Sequence, residues 1–298
     1  MVKTKNYSIE HDKKVVGYVF MLPAMALLIG LILYPLIYGI HKSFFKWNWV
    51  AGMDKMNFIW LGNYLRLLKD EFFWNSLVNT LYFTGLALFI EFPLGLVSAL
   101  LLNSRIKGQG VFRTIFMFPL MVSDIVAALT WKMLLDPSRG IVNAFLSSLG
   151  IGAVNWLGNT SVVILTLVLA DTWWQTGIII LILLAGLQSL SNETVEAARI
   201  DGANNFQFFR YLTWPHLIPY IKIALTFRII DLLRVFALSW GITQGGPVRS
   251  SEVTQLYIYT QGMGKYLDIG YSTALALTFA VILSVIVFAF NKFCWRGK

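Results

Sequence analysis

Two clusters of polar residues interrupt apolar runs of this chain at spacings that chemistry can use. In the first, Asp171, Thr172, Trp173, Trp174, Gln175 and Thr176 lie inside a run from Ser161 to about Leu187. Helical spacing puts Asp171 and Gln175 on one face, with Trp174 on the same side as Asp171. In the second, Arg228, Asp231 and Arg234 step by three through another apolar run. They line one stripe, on which Asp231 can pair with either arginine. A single charge at membrane depth is expensive, and three on a stripe imply a polar lumen or a buried ion-pair ladder. The cluster around Asp171 reads as the wall of a pathway or as glue between helices. Asp124, alone in a third apolar run, is either functional, paired structurally with a neighbouring helix, or nearer to water than its run suggests.

A third polar stretch, Glu196 to Pro219, separates two of the long runs. Ser191 or Asn192 can cap a helix there, with Glu193 favourable in its first turn. That helix carries Glu196, Ala197 and Ala198 and ends near Asp201 and Gly202, where a glycine can turn left-handed. Ala203 follows. A second helix, about Asn204 to Leu212, presents Phe206, Phe209 and Arg210 before Pro215 stops it. Two short helices joined by a glycine form an elbow that is too polar to insert into a bilayer. Its alanines permit close approach of another surface, so it reads as a socket for a partner protein rather than a solvated loop.

Long helices must position these groups. Of 298 residues, 57% are hydrophobic and 13% charged, with a mean hydropathy of +0.67; a soluble domain carries roughly 25% charged residues. Several apolar runs reach the roughly 20 residues that cross a bilayer. The class is therefore an all-α polytopic membrane protein in the lipid bilayer, with a segment 1–14 ahead of a membrane domain 15–298. The first run, Val15 to Ile40, follows Lys3, Lys5, Lys13 and Lys14 and is too long for a signal-peptide core. It predicts an uncleaved span starting in the cytoplasm, with Pro23 and Pro35 bending it or marking its end. His41 to Trp74 is rich in aromatics, among them Trp47, Trp49 and Trp60. It predicts an external loop with short amphipathic pieces, at the headgroup layer or as a stacking surface.

Further spans are expected at about Leu77–Leu102, Val111–Leu135 (interrupted by Pro119 and Asp124), Ser161–Leu187, Ile218–Trp240 and Tyr271–Asn291. Between them lie a short loop with Arg105 and Lys107, a turn at Asp136–Gly140, the elbow region at about 189–219, and a turn at Thr243–Pro247. Lys292, Arg296 and Lys298 close the chain. Six spans with both termini cytoplasmic result.

The net charge of +9 does not point to nucleic acid, because the basic residues sit mainly at the ends of apolar runs. Cys294 is the only cysteine, which excludes intrachain disulfides and a cysteine-based metal cluster. No Gly-x-x-x-x-Gly-Lys-Ser/Thr phosphate loop, His-Glu-x-x-His pair or Gly-x-Ser-x-Gly elbow occurs, and His11, His41 and His216 are scattered. Enzyme activity and a metal site are not expected in this chain.

Glu196-Ala197-Ala198, Gly202 and the tail from Pro215 to Pro219 closely resemble the EAA loop of ABC importer permeases, with Asp201 and Ala203 as usual there. His216-Leu217-Ile218-Pro219 departs slightly from that ending. Leu22-Pro23-Ala24, Tyr34-Pro35, Gly62-Asn63-Tyr64, Asn79-Thr80, Gly140-Ile141-Val142-Asn143 and Gly245-Gly246-Pro247 are similar to the carbohydrate-uptake group of these permeases. The resemblance covers nearly the whole chain. It implies a type I ABC importer (MetI-like) permease fold in a bacterial or archaeal inner membrane, paired with a second, homologous permease. Two ATPase subunits would carry ATP and magnesium, so no cofactor is expected here, and an extracytoplasmic solute-binding protein would deliver a sugar-like solute. The elbow, through Glu196, Ala197, Ala198, Asp201, Gly202, Ala203, Phe206, Phe209 and Pro215, would couple to the ATPase. Trp174, Gln175, Arg228, Asp231 and Arg234 are the candidate pathway residues, since aromatic faces and hydrogen-bonding groups suit sugars. The positive stripe hints at an anionic solute. The alternatives are a secondary transporter or channel driven by an ion gradient, with Asp124, Asp171 and Asp231 as carriers, and a membrane scaffold, which leaves the stripe unexplained.

Overall fold

The computed structural model describes residues 6–51, 56–104 and 107–295. Lys3, Lys5, Arg105, Arg296 and Lys298 lie outside the described residues, and of His11, Lys13, Lys14 and Cys294 only the backbone is described. The chain begins with α1 (Asn6–Leu28), which passes through a π turn at Ile29–Leu33 into α2 (Tyr34–Ser43). Helix continues through both prolines, and the π turn at Ile29–Leu33 lies directly ahead of Pro35, where the helix must give up one hydrogen bond. The aromatic stretch holds an unforeseen hairpin, β1 (Phe45–Lys46) antiparallel to β2 (Asn57–Phe58), with Phe45 opposite Phe58. Helix α3 (Gly62–Leu68) follows.

The second span starts earlier than expected. Helix α4 (Glu71–Asn103) is capped by Asp70, whose carboxylate accepts from the backbone N–H of Phe72 at 3.0 Å and Phe73 at 3.3 Å. The third expected span is not one helix. Helix α5 (Gln109–Met117) and a 3₁₀ turn at Phe118–Met121 meet α6 (Asp124–Leu134) at a bend of 101°. Pro119 denies a donor within that turn, and Val122 and Ser123 are extended.

Beyond it come α7 (Ile141–Ser148), α8 (Val163–Gln188), α9 (Asn192–Ile200) and α10 (Asn205–Phe208). Pro215 does not stop the second elbow helix. A π turn at Phe209–Thr213 runs without a break into α11 (Trp214–Leu233), and this wider turn lies directly ahead of Pro215, where a helix must give up one hydrogen bond. The fifth span ends at Leu233 rather than Trp240, and a separate π turn covers Ser239–Thr243. Helix α12 (Thr254–Tyr259) and α13 (Ile269–Trp295) complete the chain.

Among the described residues, four helices are long and apolar enough to cross a membrane, or five with the bent pair as one. Helix α11 has 20 residues but carries Lys222, Arg228 and Asp231, so composition alone passes over it. Counting it gives the six spans expected from the sequence.

The chain divides into two compact units, residues 1–69 with 260–277, and residues 70–259 with 278–298. Within the first, Arg66 and Asp268 pair at 2.7 Å, and the Gly270 N–H donates to the Trp47 carbonyl at 3.1 Å. Within the second, α4, α8 and α11 pack against one another. Two apolar clusters form there, one around Phe83, Ala87, Leu167 and Leu232, the other around Ala99, Ile179, Leu183 and Leu217. Gly95 allows α4 its close approach to α8, since a Cβ on it would lie 2.6 Å from Ile179 Cγ2.

Candidate functional site

Between the two apolar clusters, each of the three packed helices contributes charge to one buried group. Arg228 of α11 is 1% exposed. Its Nε donates to Glu91 Oε2 at 2.8 Å and its Nη2 to Glu91 Oε1 at 2.9 Å, a two-bond pair with α4. Nη2 also donates to Asp171 of α8, and Nη1 to Asp231 one turn further along α11. Glu91 and Asp171 are buried, whereas the Asp231 side chain is 56% exposed. The guanidinium's donating nitrogens are thus all engaged by carboxylates within its own chain. Asp231 pairs with Arg228 rather than Arg234, and Arg228 is not presented to a solute.

Asp231 opens onto a cavity of about 110 Å³ lined by Asp124, Asp171, Trp174, Asp231, Arg234 and residues 232 and 235–238. The 101° bend brings Asp124 there: it is exposed in the first turn of α6, not embedded in a straight span. Trp174 fixes the bend from α8, its indole N–H donating to the Val122 carbonyl at 2.9 Å. Arg234 lies just past the end of α11 and is exposed, with no ion pair among the described residues. Of the predicted pathway residues, Trp174, Asp231 and Arg234 reach the cavity, while Arg228 stands behind it. Gln175 does not line it, and its buried Oε1 finds no hydrogen-bond partner.

Glu91 escaped sequence reasoning. The signal was there, a carboxylate in the middle of Leu77–Leu102, the same feature that singled out Asp124. Its partner is 137 positions away in sequence, beyond the reach of any local spacing rule.

The elbow sits on the same unit. Ser191 caps α9 by accepting from the Thr194 N–H at 3.3 Å. Its other end closes by paired bonds, Gly202 N–H to the Arg199 carbonyl at 3.1 Å and Ala203 N–H to the Ala198 carbonyl at 3.0 Å, with Gly202 at φ +78°. This is a Schellman closure, for which glycine is the favoured residue. Asn204 and Gln207 then form a reciprocal capping box for α10, at 2.8 and 2.9 Å. Glu196, Ala197, Asp201, Gly202, Phe206 and Pro215 are exposed, Ala203 and Phe209 half-buried and Ala198 buried. Ile200 and Tyr211 join Phe206 as large exposed apolar side chains. His216 roots the elbow, its Nε2 lying 2.9 Å from Ser189 Oγ and 3.1 Å from the Gly186 carbonyl at the end of α8.

A family described as "Binding-protein-dependent transport system inner membrane component" matches residues 91–293. A probable ABC transporter permease protein, y4oQ of Sinorhizobium fredii, is 38% identical over 90% of this chain and 86% of its own length. The trehalose/maltose transport system permease protein MalF of Thermococcus litoralis is 37% identical over 90% of each chain. Among solved structures, a chain of a bacterial ABC transporter that imports the acidic polysaccharide alginate superposes with a TM-score of 0.83. That chain is 26% identical over 99% of this chain and 100% of its own. Another structure of a bacterial alginate ABC transporter, in complex with a periplasmic protein carrying an alginate pentasaccharide, gives 0.82 at 25% identity, over 98% of each chain. The EAA-type elbow, the spans and these matches agree, and the chain belongs to the family of binding-protein-dependent transport system inner membrane components, the ABC importer permeases.

Proposed function

We propose that this permease forms, with a second homologous permease, the membrane pathway for a saccharide, and that two separate ATPase subunits drive it. The observation that carries this reading is the elbow, a doubly capped helix pair with Glu196, Ala197, Ile200 and Phe206 turned outward. A surface so rigidly closed, and so apolar at its tips, suits docking in a cleft of a partner. The chain has no phosphate loop of its own, so the driving energy enters from outside it, with ATP and magnesium held by the partner.

The elbow and both termini lie on the cytoplasmic side in this reading, and a solute-binding protein delivers cargo from the other face. Closure of the ATP-loaded partner pushes on the elbow, and the helices rooted to it switch between two states. A saccharide is supported by the cavity, where an indole stands among carboxylates and an arginine, groups that match C–H faces and hydroxyls. The names of relatives support it too, including the trehalose/maltose permease and an arabinooligosaccharide permease of Bacillus subtilis.

The test is uptake into vesicles holding ATP and no ion gradient, with the chain purified together with its partners. ATP-dependent accumulation of a saccharide and copurification of an ATPase are expected. Accumulation driven only by a proton or sodium gradient would favour the ion-driven alternative.

A further inference from the structure

Resting on that reading of the cavity, we infer that the pathway excludes anionic saccharides and takes solutes without carboxylate, sulfonate or phosphate groups. The sequence pattern of two arginines around one aspartate hints at the opposite, and the structure reverses its meaning. Arg228 has 1% of its surface exposed and spends its donors on Glu91, Asp171 and Asp231. What the cavity presents instead is Asp124, Asp171 and Asp231 against Arg234 alone. Counting Arg228 and Glu91 behind the wall, four carboxylates face two guanidinium groups, a formal excess of two negative charges.

An anionic sugar entering here meets Asp124 and the exposed edge of Asp231, and a like-charge encounter in a confined site suppresses the wrong partner. A sugar hydroxyl, by contrast, is a donor, and a carboxylate edge can accept from two neighbouring hydroxyls at once. Trp174 offers the apolar face and Arg234 a donor for ring or bridging oxygens. The lining therefore selects by charge sign while leaving polyhydroxylated neutral solutes well served, and it tolerates a protonated amine. The alginate transporter's chain shares this fold, so the discrimination rests on these side chains and not on architecture.

The experiment uses the assembled transporter with its ATPase and binding protein, reconstituted with ATP inside the vesicle. Three labelled trisaccharides serve as probes: maltotriose, a galacturonate trimer and a glucosamine trimer. We expect the galacturonate trimer to accumulate at least about 10-fold more slowly than the better of the other two, the factor that about 1.4 kcal/mol represents. Asp124→Asn is expected to narrow that ratio by removing one repelling charge. Equal or faster accumulation of the galacturonate trimer overturns the inference. A ratio that Asp124→Asn leaves unchanged also overturns it, because the selection then belongs to the binding protein. If none of the three accumulates although ATP-driven uptake of another solute class is measured, the saccharide reading falls and this inference with it.

Discussion

Glu91 and Arg228 meet through two parallel hydrogen bonds, at 2.8 and 2.9 Å, in the layer that separates the two apolar clusters of α4, α8 and α11. Removing one partner of a buried pair leaves the other charge without compensation, at about 3–5 kcal/mol. The two partners are not equivalent here. Without Glu91, Arg228 still holds Asp171 and Asp231, whereas without Arg228 three carboxylates crowd one another. Arg228→Leu is therefore expected to lower the thermal midpoint of the purified protein in detergent more than Glu91→Leu does, with Glu91→Gln mildest. Equal losses would refute the hub arrangement.

Gly202 holds φ +78°, and nothing lies within 4 Å of where its Cβ would be. The demand there comes from the backbone, at roughly 1–2 kcal/mol for an ordinary residue in that region. Gly202→Val is expected to insert normally and lose ATP-driven uptake, because the Schellman closure opens and α10 turns away from α9. Gly202→Asn, which tolerates the left-handed region, should keep most uptake. Normal transport by the valine variant would sever the elbow from coupling.

Trp174 combines an indole bond to Val122 with packing against the apolar cluster around Phe83. Trp174→Phe keeps the packing and loses the bond; Trp174→Ala loses both. Solute-stimulated ATPase activity of the assembled transporter is expected to fall at least about tenfold for alanine, the equivalent of 1.4 kcal/mol, and less for phenylalanine. Unchanged stimulation in the alanine variant would take Trp174 out of the pathway wall.

Two glycines of α4 predict opposite signs. At Gly85 a Cβ meets nothing within 4 Å, while at Gly95 it meets Ile179 at 2.6 Å. Gly85→Ala should stabilise by roughly 0.5–1 kcal/mol through the lost flexibility of the unfolded chain. Gly95→Ala should destabilise by about 1–3 kcal/mol by prising α4 from α8. Thermal midpoints of the two variants settle the comparison, and shifts of the same sign would contradict the packing described.

The local features of the chain were legible in its sequence where one residue type answers one backbone need. Ser191 as a cap and Gly202 as a left-handed closure follow from such rules, and so do the apolar lengths of the spans. The failures share another cause. Local rules make Pro215 a stop, yet the π turn at Phe209–Thr213 just ahead of it lets the helix pass through the proline into α11, and no local rule places such a turn. Hydropathy makes Val111–Leu135 one span because it sums composition and is blind to direction; the 101° bend costs no apolar residue. The charged stripe was located, but the partner that decides its meaning, Glu91, comes from a helix far away in sequence. Which arginine is spent and which faces the cavity is a tertiary fact.

The bend between α5 and α6 also reports on the medium around it. Hydrocarbon tolerates no exposed, unpaired peptide groups, since nothing in it can replace their hydrogen bonds. At this corner Val122 and Ser123 leave helical geometry, and Ser123 supplies no side-chain cap to the opening N–H groups of α6. Such backbone is tolerated at membrane depth only where protein buries it or water reaches it; here the Trp174 indole covers the Val122 carbonyl, and the Asp124 carboxylate accepts from the Ile125 N–H at 2.8 Å. The corner is therefore closed by protein on the Trp174 side and, through Asp124, borders the cavity that Asp231 also lines.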